Sequence, residues 1–229
     1  MSEERYRHEF KYLISEGQKE LLRLRLKGLM APDPHAGKSG VYNIRSLYFD
    51  DYYNSCYYDN LSGTDPRTKY RIRIYDHSAE RITLERKRKE RSMTRKTSEL
   101  ITRSDYEQLV RGEIRTDLSA LPPLMRDMQL QIRSRRAHPV IIVEYDRIPF
   151  VCRSGNVRIT LDTNISSARD FARFFDEKLP RRPVLQRGVQ LLEVKYDEFL
   201  PDPIYRALQL DSLTQTAFSK YALCRRYSL

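Results

Sequence analysis

The chain has 229 residues, and at roughly 150 residues per domain this suggests one large domain over residues 1–229. Forty-two Lys and Arg face 31 Asp and Glu, a formal net charge of +11, so the first partner to expect is a polyanion: nucleic acid, a phosphate chain, a nucleotide or an acidic membrane. Sixteen Tyr and 8 Phe spread along the length argue against a disordered tail, and no apolar stretch approaches the roughly 18 residues of a membrane span. Cys56, Cys152 and Cys224 lie far apart, which disfavours a disulfide framework or a structural zinc site. The charged start of the chain carries no secretory apolar region, so the expectation is a soluble cytoplasmic protein.

In chain order, period-2 patterning predicts strands over 6–13, 41–49, 69–75, 81–89, 93–101, 140–147, 157–163 and 190–196. In the first, Arg7, Glu9 and Lys11 share a face. Ser15 reads as the N-cap of a helix carrying Leu21, Leu22, Leu24, Leu26 and Leu29. Lys69, Arg71 and Arg73 alternate with Tyr70, Ile72 and Ile74. Ser104 to Glu107 opens like a capping box, and Leu124 to Arg135 is periodic enough for a helix. Further helices are expected over 168–178, 204–210 and 214–225.

The strands are unusual in carrying Arg, Lys and Glu repeatedly on one face, with an apolar opposite face that helices must cover. The pattern fits a closed antiparallel barrel with a charged lumen and helices outside, or an open α+β sheet with a solvated charged face; it does not choose between them.

Residues 67–96 hold twelve Lys and Arg against four Asp and Glu. Cations at alternate strand positions sit about 6–7 Å apart. They repel unless they share an anion, and phosphate oxygens suit arginine forks. Glu9-x-Lys11, Glu85-x-Lys87 and Glu193-x-Lys195 place a carboxylate beside a lysine on three separate strands. One such pair is ordinarily a salt bridge; three on a basic sheet point to a divalent cation beside phosphates. Gly37-Lys38-Ser39 is no phosphate loop, because Pro32 occupies the position of the motif's first glycine. No nucleophile elbow or His-Glu-x-x-His motif occurs.

Eight short blocks together resemble a known family. They are Arg7-His8-Glu9-Phe10-Lys11-Tyr12, Ser46-Leu47-Tyr48-Phe49-Asp50, Tyr70 to Tyr75, Leu84-Glu85-Arg86-Lys87, Tyr145-Asp146-Arg147, Val157 to Thr163, Leu192-Glu193-Val194-Lys195 and Phe218-Ser219-Lys220-Tyr221. In this order they resemble the VTC domain, the polyphosphate polymerase domain of the vacuolar transporter chaperone complex, within the triphosphate tunnel metalloenzyme superfamily. The resemblance implies an α+β fold built on a closed antiparallel β-tunnel of about eight strands with a charged lumen and helices packed outside. It implies that Lys11, Arg71, Arg73, Lys87, Arg147, Arg158 and Lys220 line that lumen and act on the phosphates. Lys96, Tyr145, Lys195 and Ser219 would be further phosphate contacts. Glu193 would be the metal ligand, with Glu9 and Glu85 each ligating metal or orienting basic residues. The implied reaction is Mn²⁺- or Mg²⁺-dependent transfer of the γ-phosphate of ATP to a growing polyphosphate. ATP and polyphosphate are then the partners and nucleic acid is not; membrane coupling would run through a partner protein. Other readings are a triphosphatase or nucleotide-processing enzyme on the same fold, and a non-catalytic polyphosphate-binding module.

Overall fold

The structure, a computed structural model, describes residues 8–91, 93–210 and 213–227. In chain order its elements are β1 (His8–Ser15), α1 (Glu16–Lys27), β2 (Ala31–Pro32), β3 (Tyr42–Asp50), α2 (Ser55–Leu61), β4 (Arg67–Tyr75), β5 (Ile82–Glu90) and β6 (Met93–Ile101). There follow α3 (Arg103–Arg111), α4 (Pro123–Arg135), β7 (His138–Cys152), β8 (Val157–Ala168), β9 (Arg182–Pro183), β10 (Val189–Tyr196), α5 (Asp202–Ala207) and α6 (Lys220–Arg226). The class is α+β, with a large antiparallel sheet and, among the described residues, six α-helices.

The strands are hydrogen-bonded in the order β1-β10-β8-β7-β3-β4-β5-β6, with β2 added to β7 and β9 to β8. This corrects the expected closed barrel: among the described residues no ladder joins β1 to β6. The outer edge of β1 is taken by another segment, where Tyr12 bridges Gln215 and the Thr216 amide donates to the Lys11 carbonyl at 2.8 Å. On β6, Thr94, Arg95 and Lys96 are exposed, and charged side chains of this kind blunt an edge strand.

The chain forms two compact units. The first comprises residues 8–43, 145–165, 185–210 and 213–219. Its core joins Ile159 and Leu161 of β8 and Leu192 and Val194 of β10 to Leu22 and Leu26 of α1 and Ile204 of α5. Helix α1 starts where expected: the Ser15 hydroxyl accepts from the Gln18 amide at 3.2 Å, and Gln18 Oε1 accepts from the Ser15 amide at 2.8 Å. Of its leucines, Leu22 and Leu26 are buried one turn apart, while Leu21, Leu24 and Leu29 are exposed.

The second unit comprises residues 44–91, 93–144, 166–184 and 220–227. Ile72 and Ile74 of β4 and Leu84 of β5 are buried against Tyr106 and Leu109 of α3 and Leu124, Met125 and Met128 of α4. Helix α3 begins earlier than expected. Its cap is Thr102, whose hydroxyl accepts from the Asp105 amide at 3.1 Å while Asp105 accepts from the Thr102 amide at 2.9 Å. Asp105 is also paired with Arg115, which favours this box over the one at Ser104.

Of the expected helices, that over 168–178 is not formed and that over 214–225 is formed only in part. Ala168 ends β8, and Phe171–Arg173 is a single 3₁₀ turn that packs Phe174 against Tyr106 at 5.0 Å. The spacing of Phe171, Phe174 and Phe175 mimics a helical period but serves this aromatic cluster. Of residues 214–225, only the part from Lys220 onward is helical, because Gln215 and Thr216 are spent on the edge of β1. Residues 6 and 7, including the expected alignment of Arg7 with Glu9, lie outside the described residues.

Candidate functional site

In the first unit, register builds one charged face. On β1 and β10, Lys11 lies opposite Glu193 and Glu9 opposite Lys195. On β10 and β8, Glu193 lies opposite Thr160 and Lys195 opposite Arg158. Strand alternation turns Phe10, Tyr12, Leu192, Val194, Ile159 and Leu161 to the other side, into the core. The four groups of Glu9, Lys11, Glu193 and Lys195 alternate in sign. Lys11 Nζ lies 2.8 Å from Glu9 and 3.9 Å from Glu193, and Lys195 Nζ 3.1 Å from Glu193 and 3.8 Å from Glu9. Opposite charges directly across a ladder stabilise it.

Arg147 of β7 is fixed onto this face. Its Nε and Nη2 donate to the two oxygens of Asp162 at 2.7 and 2.8 Å, and Nη2 also reaches Glu193 at 3.4 Å. Burial disfavours the guanidinium's charge, but Asp162 outweighs it and holds the group firmly cationic. The ring of Tyr145 lies 5.2 Å from the same guanidinium. Arg158 is oriented by Asp33 at 2.8 Å and by the Tyr42 hydroxyl at 2.9 Å. Ser219 is half-buried beside Phe218, whose carbonyl accepts from Lys11 Nζ at 3.1 Å.

In the second unit the face is far less balanced. Register aligns Tyr48 with Arg71 and Ser46 with Arg73 on β3 and β4. It sets Arg71 opposite Glu85 on β4 and β5, and it stacks Lys69, Lys87 and Lys96 side by side across β4, β5 and β6. Glu85 is buried among these cations. Its Oε2 lies 2.6 Å from Arg71 Nη2 and 3.9 Å from Arg73, and its Oε1 3.2 Å from Lys96. Burial pushes the Glu85 carboxyl up, but Arg71, Arg73 and Lys96 outweigh it and hold the pKa at about 2. Arg71 also donates to the Tyr48 hydroxyl at 2.9 Å, and Arg73 to Ser46 at 3.1 Å.

Asp50, at the end of β3, is engaged elsewhere: it accepts from the amides of Asp51, Cys56 and Tyr57 and from the Tyr221 hydroxyl at 2.5 Å. Lys69 is tied to Asn60 at 2.5 Å and sits over the Tyr221 ring at 4.9 Å. Lys220, half-buried, opens α6 in this unit.

The structure therefore brings Glu9, Lys11, Arg147, Arg158, Glu193 and Lys195 onto one face, and Arg71, Arg73, Glu85, Lys87 and Lys96 onto another. Sequence reasoning passed over Asp162 as a partner for Arg147, Asp33 and Tyr42 as partners for Arg158, and Ser46 and Tyr48 as supports for the arginines of β4. Ser46 and Tyr48 lie in the Ser46 to Asp50 block and Asp162 in the Val157 to Thr163 block, but neither block showed the pairing, since the partners meet across strands far apart in sequence.

Among the described residues, no group of three or more His, Cys, Asp or Glu side chains is placed to hold a metal ion. A magnesium-like ion does not need one: it commonly takes one or two carboxylates and completes its shell with phosphate oxygens and water. Glu193 and Glu9 offer two such oxygen donors, held in one group by Lys11 and Lys195. Glu85 fits a metal poorly, because Arg71 holds its Oε2 at 2.6 Å and Arg73 and Lys96 add to the cationic charge around it, whereas Lys195 and Arg147 approach Glu193 to 3.1 and 3.4 Å.

No helix among the described residues is long and apolar enough to cross a membrane. A family model of the VTC domain matches residues 6–228. No curated protein matches the sequence. The fold is similar to that of HpAC1 from Hippeastrum, a protein with a dominant triphosphatase activity. That alignment has 14% identity, covers 96% of this chain and 96% of that one, and has a TM-score of 0.55. The bh2851 protein from Bacillus halodurans aligns at 13% identity over 89% of this chain and 84% of its own, with a TM-score of 0.48. The PH1819 protein from Pyrococcus horikoshii OT3 aligns at 14% identity over 97% and 99%, with a TM-score of 0.49.

Proposed function

The chain belongs to the VTC-domain family, and from that premise we propose that it is a metal-dependent phosphotransferase that extends polyphosphate from ATP. The observation that carries this reading is the face of the second unit, where Arg71, Arg73 and Lys96 surround the carboxylate of Glu85 and the register sets Lys69, Lys87 and Lys96 side by side across three strands. Like charges packed across a ladder cost free energy that a bound polyanion relieves. The arginines there are already held by Glu85, Tyr48 and Ser46, so little side-chain entropy is lost when phosphate binds.

In the reaction, a terminal phosphate oxygen of the acceptor chain attacks the γ-phosphorus of ATP. The bond from that phosphorus to the bridging oxygen breaks, its electron pair leaves with ADP, and a new phosphoanhydride forms. The protein supplies position and charge and no covalent step. Arg71, Arg73, Lys87 and Lys96 would bind phosphate oxygens on one face. Lys11, Lys195, Arg147 and Arg158 would do so on the other, and Tyr145, Ser219 and Lys220 would add contacts. Glu193, with Glu9, would hold Mn²⁺ or Mg²⁺, which when bound neutralises charge on the phosphate oxygens. Asp162 keeps Arg147 pinned, and thus oriented, as charge develops on the transferred group.

A second reading, hydrolysis of the same triphosphate with water as acceptor, is prompted by the activity of the Hippeastrum protein. Incubation with ATP and Mn²⁺ separates them. Polymerisation gives ADP and a dye-binding polyphosphate, whereas orthophosphate as the sole phosphate product assigns the chain to the second reading. Tight polyphosphate binding with no turnover at any metal concentration would make it a binding module.

A further inference from the structure

One buried polar group on the face of the first unit lacks a hydrogen-bond partner among the described residues. Thr160 lies on β8 between Arg158 and Asp162, all three on the same side of the strand, with Glu193 directly across the ladder. Its neighbours are accounted for: Asp162 by Arg147, and Arg158 Nη2 by Asp33 and Tyr42. Thr160 is only 3% exposed, and its hydroxyl has no hydrogen-bond partner among the described residues. The Nε of Arg158, also buried, has none either. Two donors at alternate positions of a strand stand about 6–7 Å apart at their backbones. Both belong to the face that carries Glu193, Lys195 and Lys11.

A buried hydroxyl without a partner costs free energy, and valine would fill the same strand position with nearly the same shape at no such cost. The core side of β8 is built on that economy, with Ile159 and Leu161 fully buried. A threonine between them, turned to the charged side, makes physical sense if its hydroxyl acquires an acceptor when ligand arrives.

We propose that Thr160 is a phosphate-binding residue whose hydroxyl, together with Arg158 Nε–H, donates to oxygens of the phosphate group held beside Glu193. This deepens the polyphosphate reading and rests on it. A neutral donor suits that position. Glu193 lies across the ladder, and another fixed cation there would pair with the carboxylate and compete with a metal ion for it. A hydroxyl binds the phosphate and leaves the carboxylate's charge untouched.

Titration of wild type, Thr160→Val and Thr160→Ser with tripolyphosphate in the absence of metal, followed by calorimetry and by thermal denaturation, tests this. Free of ligand, Thr160→Val should melt at or above the wild-type temperature, because an unpaired buried hydroxyl is gone. Its affinity for tripolyphosphate should fall about tenfold or more, the loss expected for a hydrogen bond to a charged group. Thr160→Ser should restore most of that affinity. Wild-type affinity in Thr160→Val overturns the proposal while leaving the polyphosphate reading intact. A drop in ligand-free stability in Thr160→Val but not in Thr160→Ser also overturns it, since the hydroxyl would then already be bonded within the protein. If wild type itself does not bind tripolyphosphate, the polyphosphate reading fails and this proposal falls with it.

Discussion

The face built on β1, β10 and β8 and the face built on β4, β5 and β6 are both polar sides of antiparallel ladders backed by helices, yet they hold charge differently. On the first, Lys11, Lys195, Arg147 and Arg158 are each met by an acid: Glu9, Glu193, Asp162 or Asp33. On the second, Arg71, Arg73 and Lys96 share Glu85, Lys69, Lys87 and Lys96 are aligned side by side, and Asp50 is consumed by backbone amides and Tyr221. A balanced face can offer carboxylates to a cation and still bind phosphate. An acid-poor face attracts polyanions and gives a metal little to hold. The account therefore divides the work, placing metal-dependent chemistry at Glu193 and electrostatic capture at the arginines and lysines around Glu85.

The largest effect is expected where the balance is tightest. Arg147→Met removes the bidentate partner of fully buried Asp162 and one contact of Glu193. Breaking one side of a buried ion pair costs roughly 3–5 kcal/mol, which denaturant unfolding would register. A loss near zero would mean that water reaches Asp162 and the pair is not structural.

On the acid-poor face, Arg71→Ala should reduce turnover at least tenfold, from a charge-assisted phosphate contact of about 1.5–3 kcal/mol. Steady-state kinetics of Arg71→Ala beside Arg73→Ala would rank the two, with Arg71 ahead because it also carries the main contact to Glu85.

Acid sharpens the contrast further. Glu85 titrates at about 2 when folded and near 4.3 when unfolded, so its ion pairs add stability that is fully present above about pH 4.3 and disappears as the pH falls toward 2. The contribution is on the order of 3 kcal/mol. Unfolding curves across that window should show the loss in wild type, and Glu85→Gln should lack that component. The smallest effect is expected at Arg88, which is exposed and paired with Glu90 along its own strand. Arg88→Ala should leave turnover within twofold, and a deficit equal to that of Arg71→Ala would turn the face into a diffuse basic patch.

Much of this was legible in the sequence where alternation speaks directly. Lys69 to Tyr75 shows its charged and apolar sides without any partner strand, and Ser15 announces its helix through a local cap. The lack of closure was not legible, because closure depends on what occupies an edge, and Gln215 and Thr216 occupy β1 from a segment that reads like the start of a helix. Phe171, Phe174 and Phe175 misled for a related reason: three aromatics filling one core pocket can copy a helical period. Glu9, Glu85 and Glu193 look alike in sequence, each two residues before a lysine. Only the register separates Glu85, enclosed by Arg71, Arg73 and Lys96, from Glu193, which lies in a balanced group beside the unpartnered hydroxyl of Thr160.

The division of labour is tested most directly by measuring how far Mn²⁺ tightens tripolyphosphate binding in wild type, Glu193→Gln and Glu85→Gln. Both substitutions remove one negative charge, so both should bind the anion at least as well as wild type when metal is absent. The account predicts that the metal-dependent gain persists in Glu85→Gln and is lost in Glu193→Gln. A gain retained in Glu193→Gln and lost in Glu85→Gln would contradict it and move the metal to the acid-poor face.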